Sequence, residues 1–390
     1  STVALVLPLW SIALFCMWRL TVSRSWIWAL TLGFVLGLGM LAKYAMLYFP
    51  LCMVLAAYWS RPVRDALKGW RWAGIVLVAL AMISPNIYWN FTHHFETVAH
   101  TASNAHLTKN FIHPDEVLEF LVGQALVIGP VLFVALAWLI WRAWTRSEGL
   151  SAEDRFLLAF ILPAITIMLV QAFLSRANGN WAAVSFPAAV VWIAGAFAHS
   201  RNGRRLLITA TAFNVAIGGV LAVAALRPDI ADRAPIISNS IKRTRGWDDV
   251  ARQVAARAMP HAGEAPYTAV MVDDRDAFYE LSYYWRDARK RGDPLPPIRM
   301  WLLYAQPYNS AEASDPMRPE EGGRVLIVHQ NPRYAPFVAG DFTVFRTVDH
   351  LHIALGSARP RNFELSVGEG FAPAPRDAAF MQRLRGDGAR

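Results

Sequence analysis

Charge is what this sequence has least of. Asp, Glu, Lys and Arg make up 17% of its 390 residues, where a soluble domain carries about 25%. The hydrophobic set makes up 55%, and the mean hydropathy is +0.28. That balance excludes a disordered chain, a charged nucleic-acid-binding tail and a coiled coil, all of which need more charge. Cysteine is scarce as well. Cys16 and Cys52 both fall in apolar stretches, and the chain beyond residue 226 has none. The C-terminal part therefore has no disulfide framework, and the two thiols read as small core residues. Short catalytic signatures are also missing: there is no GxSxG, P-loop, HExxH or CxxC.

What is present is a series of eight apolar stretches, at about 1–18, 26–42, 44–60, 72–89, 117–141, 156–174, 181–198 and 206–226. Each is roughly 17–25 residues, the length a bilayer core requires. Residues 1–226 hold 15 Lys and Arg and 8 Asp and Glu, against 23 and 21 in residues 227–390. The expectation is an all-α polytopic membrane bundle of about eight spans over 1–226, then a small α/β soluble domain with a tail over 227–390.

The loops between the stretches alternate in cation content. One set holds Arg19, Arg24, Arg61, Arg64, Lys68, Arg71, Arg142, Arg146, Arg155, Arg201, Arg204 and Arg205; the other holds Lys43, Lys109 and Arg176. Cytoplasmic loops carry the Lys and Arg excess. The cation-poor loops and residues 227–390 are then expected outside, in the periplasm of a bacterium, with the chain in the inner membrane. Trp26, Trp28, Trp59, Trp70, Trp72, Trp89, Trp141, Trp144 and Trp181 sit at the stretch edges, as an aromatic belt would. The chain begins at Ser1, inside an apolar stretch, with neither a basic leader nor a small-residue cleavage site. It reads as a fragment that lacks an N-terminal part.

In the soluble part, Trp247, Val250, Val254 and Ala258 recur at helical spacing within 246–259. Residues 278–285 read as an aromatic helix. Residues 267–272, 298–304 and 324–329 read as strands, and 342–348 with 352–355 as a terminal hairpin. Residues 227–244 read as a linker and the chain after Pro373 as a frayed tail. Asp273, Asp274 and Asp276 could bind a cation, but a helix N-cap explains them as well.

An outward cation beside a membrane runs against the charge rule and asks for a reason. Lys43 lies in GMLAKYAMLYFP, a tight turn preceded by Gly33, Gly37 and Gly39, which let helices approach closely. Arg176 lies in SRANGNW, and Lys109 in the long loop of residues 90–115. A phosphate head group at the membrane face needs such cations, while the alternative is snorkelling to lipid. The long loop holds five of the ten His, namely His93, His94, His100, His106 and His113. None is paired at metal-binding helix spacing, although Glu96 follows His93 by three. The loop is expected to contact a polar substrate; no metal or other cofactor is assigned.

The order of motifs then becomes telling: GLGMLAKY, YFP, a basic loop, a span ending SPNIYWN, HHF, HPDEVLEFLVGQ, SRANGNWAAVSFP and, after the last span, RGWDDVARQV. This order, over residues 26–285, resembles the bacterial glycosyltransferase family 39 proteins of the GT-C superfamily. These are relatives of protein O-mannosyltransferases and of lipid A aminoarabinose and galacturonic acid transferases. The resemblance implies a multi-spanning enzyme with a periplasmic active site. It moves a sugar from a polyprenyl-phosphate donor to a lipid or protein acceptor and inverts the anomeric centre. An acidic residue after the first span would serve as general base, and membrane-level cations would hold the phosphate. Carried over, Lys43 occupies the L-x-K position. Arg176, Asn180 and Trp181 occupy the outer turn that contacts the lipid phosphate, where aminoarabinose-type relatives have Lys and Tyr. His93, His94 and Glu96 match the loop over the donor sugar, with Lys109 further along it. The acidic base has no counterpart, so the catalytic residue is unassigned and expected upstream of Ser1.

Two other classes compete. One is a transporter or lipid flippase that moves a lipid-linked sugar; ion-coupled transporters need ionisable groups within the bilayer and often repeated halves, and the stretches here offer almost none of the former and no repeat. A non-catalytic scaffold with a binding domain outside the membrane would fit a chain without a general base.

Overall fold

The computed structural model describes residues 2–92, 113–175, 177–259 and 263–386. The chain divides into two compact units, Ser1–Ile217 and Gly218–Arg390.

The first unit is helical. Its elements are α1 (Thr2–Ser23), α2 (Trp26–Ala42), α3 (Tyr48–Trp59), α4 (Arg61–Ala66), α5 (Arg71–Thr92), α6 (Pro114–Ile128), α7 (Pro130–Thr145), α8 (Ala152–Leu174), α9 (Phe186–Phe197) and α10 (Arg201–Leu226). Two 3-10 segments, Tyr44–Leu47 and Gly179–Ser185, precede α3 and α9. Local chemistry sets several of the ends. Ser25 caps α2 by accepting from the Ile27 N–H at 3.3 Å, and Ser151 with Asp154 forms a capping box at the start of α8.

All eight apolar stretches are helical, yet they are not eight equal spans. Among the described residues, five helical segments have the length and composition to cross a membrane: α1, α5, α8, Gly179–Phe197 and α10. The chain is a multi-pass membrane protein on that ground. α2 and the Tyr44–Trp59 segment are shorter. At about 1.5 Å per residue, the 12 residues of α3 reach about 18 Å, against a hydrocarbon core of about 30 Å. The expected span at 117–141 is broken at Gly129, where the chain bends by 113° from α6 to α7. Gly129 has φ +95, and a Cβ there would collide with the Asn214 side chain. Asn214 Nδ2 in turn donates to the Ile128 carbonyl at 2.9 Å, so α10 caps the broken end. With the bent pair counted as one span there are six.

The expected close approach of glycines is present. A Cβ on Gly33 or Gly37 would strike Ile75 or Met82 of α5, and one on Gly39 would strike Met46. The glycine face of α2 thus lets α5 pack directly on its backbone. The apolar core runs through α1, α2, α3, α8 and α9, where Trp10 meets Phe49 edge-to-face and Phe49 meets Phe160 at a tilt.

The second unit is α/β, as its pattern of strands and helices implies. Helices α11 (Trp247–Ala258) and α12 (Arg275–Arg291) pack on a five-stranded mixed sheet. Its strands are β1 (Ala269–Val272), β2 (Ile298–Met300), β3 (Arg324–His329), β4 (Phe342–Leu355) and β5 (Ala358–Phe371), in the order β2-β1-β3-β5-β4. β1 is parallel to β2 and β3, while β5 is antiparallel to β3 and β4. Asp274 caps α12 by accepting from the Asp276 N–H at 2.7 Å and the Ala277 N–H at 3.3 Å. That is the helix-cap reading of the acidic cluster. Among the described residues, no three His, Cys, Asp or Glu side chains gather as a metal site.

Three expectations fail here. Residues 342–355 form one strand with irregularities near Thr347 and Ile353, and its hairpin partner is 358–371. Pro360 and Gly368 disguised that partner: Pro360 lies where β5 pairs with β4 alone, past the end of β3, and Gly368 is flanked on both sides, where a Cβ would strike Phe342 and Ile327. Residues 227–244 are short packed helices rather than a bare linker. Asp232 accepts from Arg245 at 2.8 Å and from Ser238 at 2.6 Å. The tail holds a further helix, Ala378–Gly386, anchored by buried Phe380 and Leu384 and by the Arg376 pair with buried Asp341.

Candidate functional site in the helical unit

The unit has two polar loop clusters, one joining Arg24, Asp65 and Arg71 and one joining Tyr44–Leu47 with Gly179–Ser185. At the first, cation-rich end, Arg71 and Arg64 are bound to backbone. Arg71 donates to the carbonyls of Ala66 at 2.7 Å, Asp65 at 3.1 Å and Arg24 at 3.1 Å. Arg64 donates to those of Ala57 at 3.0 Å and Tyr58 at 2.9 Å. Lys68 pairs with Asp65 at 2.6 Å.

The opposite end is built differently. Lys43 follows α2 with an extended backbone, φ −164, and its N–H closes the helix on the Gly39 carbonyl. Its side chain is half-buried, and no described residue makes an ion pair with its ammonium. Burial lowers its pKa from the ordinary lysine value. The next residue, Tyr44, donates its hydroxyl to Asn86 Oδ1 of α5 at 3.1 Å. Asn90, one turn on, donates to the same oxygen at 3.2 Å and to the Asn86 carbonyl at 2.9 Å.

The 179–185 segment completes this end. Tyr44–Leu47 contacts Gly179–Ser185 directly. Gln124 of α6 donates to the Gly179 carbonyl at 2.9 Å, and the His113 N–H donates to the Phe173 carbonyl at 3.0 Å. Those two bonds tie α6 to the exit of α8. Tyr48 and Trp181 pack on one small cluster around Phe120 and Met168. Asn180 is exposed at its rim.

The structure therefore brings the segment after Lys43 against the Gly179–Ser185 segment, which holds Asn180 and Trp181. His93, His94, Glu96, Lys109 and Arg176 lie outside the described residues. Asp115 and Glu116 occupy the first turn of α6, where helix-start carboxylates belong. The residues that sequence reasoning passed over are Tyr44, Asn86, Asn90 and Gln124. Their signal was a polar side chain inside an apolar motif, SPNIYWN and FLVGQ. Two of their oxygens, Asn90 Oδ1 and Gln124 Oε1, are buried without a described hydrogen-bond partner. A buried orphan acceptor is costly unless a ligand or water serves it.

The family model described as dolichyl-phosphate-mannose-protein mannosyltransferase matches residues 2–89, which include α1, α2, Lys43, Tyr44 and Asn86. The lipid A galacturonosyltransferase RgtD of Rhizobium johnstonii is 30% identical over 302 residues. Over the matched residues the chain is similar to glycosyltransferases. The matched stretch is 75% of this chain and 59% of RgtD, so the chain spans about three fifths of that relative's length. No solved structure matches. The relationship agrees with the motif order of residues 26–285, and the family match places the Lys43 turn inside the related region.

Proposed function

We propose that this chain is the body of a membrane glycosyltransferase that moves a sugar from a polyprenyl-phosphate donor to a lipid acceptor of the lipid A type. The reaction takes place at the periplasmic face of the bacterial inner membrane, with residues 1–226 as the transferase region and residues 227–390 as a periplasmic domain. The observation that carries this reading is Lys43. It is a half-buried cation without a described counter-ion, at the cation-poor end, within the region shared with the family. The name of the 30% identical relative supports lipid A over protein as the acceptor class.

The chemistry follows from the donor. The acceptor hydroxyl oxygen attacks the anomeric carbon from the face opposite the phosphate. The bond from that carbon to the phosphate oxygen breaks, and the configuration inverts. The hydroxyl proton passes to a general base, a role given to no residue of this chain, and polyprenyl phosphate departs as an anion. Lys43 lies where it neutralises that anion, in a setting of reduced dielectric that strengthens the contact. Asn180 and Trp181 flank the phosphate together with Arg176, while His93, His94, Glu96 and Lys109 belong to the loop over the sugar. Asn90 Oδ1 and Gln124 Oε1 accept from donor or acceptor hydroxyls.

The test uses the intact protein in membranes with a polyprenyl-phosphate sugar. Lys43→Ala is expected to lower donor affinity and transfer, with Lys43→Arg restoring part of both. Donor affinity and transfer at the wild-type level in Lys43→Ala would remove the phosphate assignment. Product stereochemistry, read by NMR, checks inversion.

A further inference from the structure

The second unit contains a cleft of about 940 Å³ that the transfer reaction does not use. That volume is near the upper end of the roughly 300–1,000 Å³ of small-molecule sites. It lies where the parallel strands β1 and β3 end, at Val272 and His329, beside the first turn of α12 at Asp276. Crevices outside the carboxyl ends of parallel strands are where α/β sheets hold ligands. The β4–β5 hairpin extends past the end of β3 and forms the other wall.

The lining carries an excess of positive charge. Lys242, Arg243 and Arg359 reach it from two elements, and no described residue makes an ion pair with any of them. Arg361 also lines it, but its guanidinium is occupied by the carbonyls of Lys242, Arg243 and Arg245 and lies over Trp247. The acids are Asp276 and Glu364, and Glu364 accepts from Thr347 Oγ1 at 2.9 Å. Three cations without described partners outnumber these acids.

The second observation is independent of charge. His329 is 2% exposed and lines the cleft, yet both its ring nitrogens are buried with no described hydrogen-bond partner. The neighbouring Gln330 Oε1 is in the same condition. Asp273 does not satisfy His329. Its oxygens accept from the Gln330 N–H at 3.0 Å and the Asn331 N–H at 3.3 Å, and it stands 3.8 Å from His329 Nδ1. Buried polar atoms are rarely left unpaired, so these mark a place where something else supplies the bond. Leu351, Leu355 and Pro360 add apolar wall against which a ring's C–H face can rest.

We infer that this cleft binds a sugar phosphate, with Lys242, Arg243 and Arg359 on the phosphate and His329 and Gln330 on ring hydroxyls. The source is either a free sugar phosphate or the head group of a phosphorylated glycolipid. The inference stands apart from the transferase reading, and its test uses binding alone.

The full chain in nanodiscs of neutral lipid is titrated with glucose 1-phosphate by calorimetry. The expected result is saturable binding that weakens with salt, with no heat from glucose. The triple variant Lys242→Ala, Arg243→Ala, Arg359→Ala should bind at least about tenfold more weakly, since charge-assisted bonds to phosphate are lost. His329→Leu should weaken binding about threefold or more and leave the melting temperature equal or higher, because it removes buried unpaired nitrogens. A histidine that serves packing alone would leave binding unchanged. Nanodiscs doped with a phosphorylated glycolipid separate the sources. Competition against glucose 1-phosphate identifies a head group, and undiminished binding identifies the free sugar phosphate. No binding of glucose 1-phosphate, equal binding of glucose, or wild-type affinity in both variants would overturn the inference.

Discussion

The two units handle buried polarity in opposite ways. In the second unit the buried charges are closed into networks. Asp341 accepts from Trp301 Nε1 at 2.7 Å, from the Ala374 N–H at 2.8 Å and from the Arg376 guanidinium. The half-buried Arg299 likewise bridges Glu321 and Asp315. In the first unit the polar groups at the cation-poor end stay open: Lys43 has no described counter-ion, and Asn90 Oδ1 and Gln124 Oε1 have no described donor. A closed network serves stability, and an open one awaits a partner. The cleft around His329 is the second unit's own exception, which is why it reads as a site.

That comparison breaks or sharpens under mutation. The largest effect is expected at the closed end. Asp341→Ala leaves Arg376 buried without its carboxylate and should cost about 3–5 kcal/mol of stability. Denaturant unfolding of the full chain measures it, and a loss below about 1 kcal/mol would show that the network is not structural.

Next comes Lys43→Ala, the open counterpart. Donor affinity should fall about tenfold to a hundredfold, or about 1.4–2.8 kcal/mol, with the unfolding midpoint unchanged. Arg71→Ala should do the reverse. It loses three bonds to carbonyls at the other end, so stability drops by about 1–3 kcal/mol while donor affinity holds. If the two variants behave alike, the contrast between the ends of the helical unit is wrong.

The Asp232 and Arg245 pair gives a pH dependence. Hydrogen bonds from Arg245, then Ser238, hold the Asp232 carboxyl well below the usual carboxylate range. A carboxylate depressed on folding adds stability in full above its unfolded value of about 3.9, and that stability is lost as pH falls toward the folded value. Arg245→Met should therefore lower the melting temperature at pH 7, and the gap from wild type should narrow below about pH 4. A gap that widens in acid would contradict the assigned direction.

The smallest effect on stability is expected for Gln124→Met. It removes the bond to the Gly179 carbonyl and also the orphan Oε1, so stability should stay within about 1 kcal/mol of wild type. Transfer should fall severalfold if Oε1 meets substrate. Unchanged transfer would return Gln124 to a positioning role for the 179–185 segment.

How much was legible depended on the range of the signal. The eight apolar stretches, the alternating cations and the Lys43 turn were plain, because bilayer insertion reads local composition. The α11 repeat of Trp247, Val250 and Val254 and the Asp274 cap were plain for the same reason. The break at Gly129 was not, since it rests on Asn214, far along the chain. Nor was β5, whose Pro and Gly obscure a strand that pairing with β3 and β4 creates. At the candidate site, Lys43 was proposed from sidedness and motif, and Asn180 and Trp181 from the resemblance. Tyr44, Asn86, Asn90 and Gln124 were missed, because an amide in an apolar run announces no partner until its neighbours are known.

Sequence pattern thus determined that this chain carries apolar stretches fit for a membrane, that cations alternate between the loops joining them, and that an α/β unit follows. Tertiary structure decided which stretches are long enough to span and which glycines bring α2 onto α5. It also decided which buried polar atoms are left open, at Asn90 and Gln124 in one unit and at His329 and Gln330 in the other. The reason is physical: transfer into a bilayer is a sum over local residues, whereas satisfying a hydrogen bond requires two groups that the chain brings together only on folding.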